Sequence, residues 1–143
     1  MKIAKLSDMK RGWFIGSFQP TLADTEDVEV AVKKYNVGEY EDAHYHKVAT
    51  EYTLIISGQA LMFGQVLGAG DIIVVDPNDT TDFLALTEVK NVVVKLPGVK
   101  NDKYLVTQEV IDSLREATLL QAEKLGYKDA ADMVRKMLQT KEN

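Results

Sequence analysis

The chain has 143 residues, 45% of them hydrophobic and 27% charged, a composition suited to a soluble domain with a single hydrophobic core. Seventeen basic residues against 22 acidic ones leave a net charge of −5, which argues against general affinity for nucleic acid or anionic membranes. There is no cysteine, so disulfides, thiolate metal sites and cysteine nucleophiles are excluded.

The N-terminal sequence MKIAKLSDMKRGW lacks the apolar core of a secretory signal. Apolar runs such as Leu54–Ile56 and Val92–Val94 are far too short to cross a bilayer, so a cytoplasmic protein is expected. Residues 1–20 read as an irregular lead-in broken by Gly12, Gly16 and Pro20. Trp13, Phe14, Ile15 and Phe18 cluster there, either to cover an open end of the β body or to contact a second subunit.

From residue 28 to 37 the apolar side chains alternate, with Val28, Val30 and Val32 on one face and Glu29 and Lys33 on the other, the period of a half-buried strand. Further strands are expected at 51–57, at 60–63 after a hairpin at Gly58-Gln59, and at 71–76, 81–86 and 91–96. Many short strands punctuated by glycine and proline predict an antiparallel sandwich or barrel over residues 1–106.

After Thr107, a good N-cap, Ile111, Leu114, Thr118, Ala122 and Leu125 follow helical spacing up to a stop at Gly126. A second helix starts near Asp129, with Met133, Val134, Met137 and Leu138 as its apolar stripe. Residues 107–143 thus form a helical hairpin, packed on the β body or on a dimer partner. The strand-like stretch 103–106 before two helices also suggests a ribbon-helix-helix DNA-binding unit. Seven basic against eight acidic residues in 101–143 oppose that reading.

The chemistry is concentrated in GEYEDAHYHKVATEYTLIISG, residues 38–58. His44 and His46, the only histidines, share a face if they lie on a strand, and Glu51 has the parity to join them. Two imidazoles and a carboxylate converging from one sheet face suit Mn, Fe, Ni, Co or Zn. No Ser-His-Asp set or glycine-rich phosphate loop is visible.

This stretch resembles the first motif of the cupin superfamily at Gly38, His44, His46, Glu51 and Gly58. Gly70, Asp71 and Pro77 partly match the second motif. The resemblance implies a double-stranded β-helix of jelly-roll type carrying the helical extension. It also implies a homodimer, and a divalent transition metal held in the barrel's mouth. Where cupins carry a glycine this chain has Asp79, and where they carry the fourth, histidine ligand it has Asp82. Asp82 shares parity with Leu84 and Leu86, read as an inward face, and is taken as the fourth ligand, with a strand-end aspartate as the alternative. With Asp82 included, two neutral histidines and two carboxylates cancel a divalent ion.

Tyr45 and Tyr52 have packing parity, while Lys34 or Tyr35 is a candidate contact for a polar substrate. The resemblance implies small-molecule chemistry on a polar, sugar-like substrate, of isomerase, epimerase or oxygenase type. The alternative is a non-catalytic module that binds a small ligand or metal and uses its helical tail for dimerisation. No catalytic residue is assigned.

Overall fold

The computed structural model describes residues 1–142. Strands β1 (Trp13–Ile15), β2 (Glu29–Tyr35), β3 (Tyr40–Tyr45), β4 (Thr50–Ser57), β5 (Ala60–Met62) and β6 (Gln65–Leu67) are followed by β7 (Ile72–Val75), β8 (Thr81–Ala85), β9 (Val89–Leu96) and β10 (Tyr104–Leu105). Helices α1 (Gln108–Lys124) and α2 (Lys128–Glu142) complete the chain. The strands form two five-stranded antiparallel sheets, ordered β1-β2-β9-β4-β7 and β10-β3-β8-β5-β6. This is the mainly β architecture with two terminal helices that the sequence predicts.

Two local expectations are revised. Gly58-Gln59 does not close a hairpin: β4 pairs with β7 and β9, whereas β5 pairs with β6 and β8, so the chain crosses from one sheet to the other there. Gly58 is required at the crossing, since its φ is +85° and a Cβ would lie 1.9 Å from the Glu88 carbonyl oxygen. The tight hairpin is instead Phe63-Gly64, between β5 and β6, with φ values of 44° and 80°. The lead-in is also partly regular, because β1 pairs with β2 and sets Trp13 opposite Ala31.

The sheets enclose a core of Tyr35, Ile55, Ala60, Met62, Phe83, Ala85 and Val89. Successive residues of β5 and β8 point to opposite faces, so Leu61, Leu84 and Leu86 face outward. There they form a second core with Ala122 of α1 and Ala131 and Val134 of α2. Every residue of β8 is therefore buried, with Leu84 packed under the helices and Asp82 bonded to Thr118 of α1. Thr107 caps α1 by accepting from the Val110 N–H. The helix ends in a Schellman turn, with Tyr127 N–H bonded to the Ala122 carbonyl and Gly126 N–H to that of Glu123. Among the described residues, no helix is long and apolar enough to cross a membrane.

Along β9 the interior changes character. Val89 sits opposite Tyr35 at the apolar end. Asn91 is opposite Lys33, and Lys95 lies between Glu29 and Glu51 at the polar end. The candidate chemistry lies at that polar end.

Candidate metal centre

Strand β3 carries His44 and the turn after it carries His46, while Glu51 enters from the start of β4. All three are buried. Each offers one ligand atom within 4.8 Å of the others, a group that could hold a metal ion. The two imidazole rings lie 5.6 Å apart at 84°.

The donor chemistry fits a divalent transition ion. His44 Nδ1 lies 2.8 Å from the Asp42 carbonyl oxygen, an acceptor, so this nitrogen carries the proton and Nε2 keeps its lone pair. Both ring nitrogens of His46 are buried without a hydrogen-bond partner, and its Nδ1 is 3.6 Å from Glu51 Oε2. An unsatisfied buried polar group costs about 1–3 kcal/mol, and coordination would remove that cost. Burial lowers both histidine pKa values, and for His46 the nearby Lys95 adds to it, bringing that ring to about 4. Both imidazoles are therefore neutral near pH 7, the form that binds metal.

The turn bearing His46 is pinned on two sides. The Asn78 N–H donates to the His46 carbonyl at 2.6 Å. The Asp102 carboxylate accepts from the N–H groups of Lys47, Val48 and Ala49. Burial would raise the Asp102 pKa, but these three donors outweigh it and hold the group below its usual value.

Asp82 is not part of this group. It borders the cavity wall, but its carboxylate is turned to the outer face of β8. There Oδ2 accepts from the Tyr40 hydroxyl at 2.7 Å and from Thr118 of α1 at 2.9 Å, while Oδ1 accepts from the Phe63 N–H at 2.8 Å. The shared parity with Leu84 and Leu86 is real, but that face looks toward the helices. The inward residue beside His44 is Thr81.

A cavity of about 20 Å³ adjoins His44 and Glu51, and Lys33, Tyr35, Glu41 and Asn91 help to line it. That volume suits a water or an ion. Tyr35 donates to Glu41 Oε1 at 2.8 Å, and Lys33 Nζ lies 3.6 Å from the same oxygen. Burial would raise the Glu41 pKa, but Lys33 and the Tyr35 hydroxyl reverse the effect and keep the carboxylate ionised. The Asn91 Oδ1 is a further buried acceptor without a partner.

No protein-family model matches the chain, and no curated protein matches it in sequence. Solved structures do match it. An uncharacterised conserved protein with a double-stranded β-helix domain from Klebsiella pneumoniae is 22% identical, covers 73% of this chain and 91% of its own, and has a TM-score of 0.57. The DMSP lyase DddQ from Ruegeria pomeroyi is 20% identical over 57% of this chain and 44% of its own, with a TM-score of 0.50. The chain has the cupin fold. At these identities the likeness is one of fold and carries no substrate with it.

Within the cupin barrel, Tyr35 faces the cavity as expected, but its partners Lys33 and Glu41 were not anticipated, nor were Asn91 and Asp102. Alternation along β2 does put Lys33 beside Tyr35. Tyr45 packs on Tyr104 at 5.5 Å, and Tyr52 is partly exposed.

Proposed function

We propose that this cupin is a metal-dependent enzyme acting on a small polar molecule by proton transfer of isomerase or epimerase type. His44, His46 and Glu51 hold one divalent transition ion, Mn, Fe, Ni, Co or Zn. The observation that carries this reading is the convergence of their ligand atoms within 4.8 Å, with His46 buried and otherwise unpartnered. When bound, the ion supplies Lewis acidity to a substrate oxygen.

The chain's own groups supply the rest. Glu41, kept ionised by Lys33 and Tyr35, takes a proton from the carbon next to the one that bears that oxygen and returns it to the oxygen-bearing carbon or to the opposite face of the carbon it left. Tyr35 holds Glu41 in place, and burial together with the Glu41 charge raises the Tyr35 pKa, so it stays a hydrogen-bond donor. Electrons balance without an oxidant: epimerisation breaks and remakes a bond on one carbon, whereas isomerisation breaks one carbon–hydrogen bond, makes another on the carbonyl carbon, and passes the hydroxyl proton to the former carbonyl oxygen.

Two other readings have support. A set of two histidines and one carboxylate also suits oxygenase chemistry, because it leaves adjoining positions open. The small cavity favours a binding module without turnover. Deuterium exchange separates them. Metal-loaded protein in D₂O should exchange a carbon-bound proton of a turned-over substrate, seen by NMR across a panel of small hydroxy-carbonyl compounds. Glu41→Gln should abolish exchange and leave metal content unchanged. Full metal loading without exchange of any compound would favour the binding module.

A further inference from the structure

The ion cavity and a much larger surface groove meet at three side chains. The groove, about 650 Å³, runs along residues 6–12 and β2. Lys33, Tyr35 and Glu41 line both the groove and the 20 Å³ cavity beside His44 and Glu51. An organic molecule is too large for the cavity, so it lies in the groove and reaches the metal centre past these three groups.

Charge at that passage has a definite sign. With Asp82 turned to the outer face, two neutral imidazoles and one carboxylate leave a divalent ion with one net positive charge. Lys33 and Lys95 lie over the same Trp13 ring, at 5.2 and 5.0 Å from its centre. The carboxylates beside them, Glu41 and Glu29, are 3.6 and 4.0 Å away, beyond direct hydrogen-bonding distance. The indole face thus holds both ammonium groups at the polar end of the barrel while each keeps protons to donate. The groove adds Arg11 and Lys34, so its cations outnumber Glu39 and Glu41.

We propose that the ligand of this site is a small organic anion, a carboxylate or a phosphate ester, whose charged group pairs with Lys33 while its reacting end meets the His44–His46–Glu51 group. The inference rests on the metal-centre reading. It narrows the expected polar, sugar-like substrate to acids and phosphorylated compounds.

The test uses Co²⁺-loaded full-length protein of measured metal content, titrated calorimetrically with malonate, methylphosphonate and the neutral analogue malonamide. Malonate or methylphosphonate should bind at least about tenfold tighter than malonamide, the scale of one charge-assisted contact. Whichever anion binds better identifies the charged group. Lys33→Gln should remove most of that preference and keep the cobalt content. Lys124→Gln, the same charge change at an exposed site on α1, should leave it intact. Full cobalt loading with equal binding of malonamide and the anions would overturn the anion proposal alone, as would equal effects of the two lysine variants. Failure of the protein to load cobalt would overturn the metal centre as well.

Discussion

His46 combines deep burial with unsatisfied polar atoms. It is buried to 2% exposure, and its two nitrogens have no partner. Its pKa falls from 6.5 to about 4, chiefly through burial. Between those values the unfolded chain binds a proton that the folded chain does not, so stability rises with pH across that window. The metal-free protein should therefore melt progressively lower as pH drops from about 6.5 toward 4, and His46→Gln should flatten the dependence in a pH series of thermal melts. Asp102 acts on the same turn. Asp102→Asn places an amide donor against backbone N–H groups that now meet carboxylate oxygens. It should cost about 2 kcal/mol in urea denaturation and weaken metal affinity about tenfold in chelator competition. A stability loss with unchanged affinity would show that Asp102 serves the fold and not the position of His46.

Among the elements, α1 ties down the strand that carries His44. Arg115 donates twice to Asp42, at 2.8 Å each, and the Asp42 carbonyl meets His44 Nδ1. Thr118 of the same helix donates to Asp82. Gly38, one of the motif glycines, belongs to this packing. Its φ is +83°, and a Cβ there would lie 2.2 Å from the Met133 Cβ on α2. Gly38→Ala should therefore destabilise the protein by about 2 kcal/mol or more, through the left-handed backbone and the clash with α2, as measured by thermal melting. Unaltered stability would mean that α2 does not press on this turn. The strand and helix segments were legible because alternation and capping are local signals. The crossing at Gly58 was not legible, since a glycine with positive φ serves a hairpin and a sheet change equally well, and only long-range pairing decides between them.

For the whole molecule, the sequence showed which residues share a face but not which face is inside. In β2 the inward set is Ala31, Lys33 and Tyr35, and in β8 it is Thr81, Phe83 and Ala85. An aliphatic outer face ordinarily marks the core of a barrel. On β5 and β8 it marks the seat of the helices, while the mouth of the barrel holds lysines, glutamates and an asparagine. Asp82, expected as a fourth ligand, bonds to Tyr40 and Thr118 on that outer face, whereas His44, His46 and Glu51 come together at the spacing of a short motif. Metal stoichiometry by plasma mass spectrometry tests this arrangement most directly. After equilibration with a divalent transition metal and desalting, the native chain and Asp82→Ala should each retain close to one ion, and His46→Ala close to none. A native chain that retains no metal, or an Asp82→Ala variant that loses it as completely as His46→Ala, would contradict the three-residue centre.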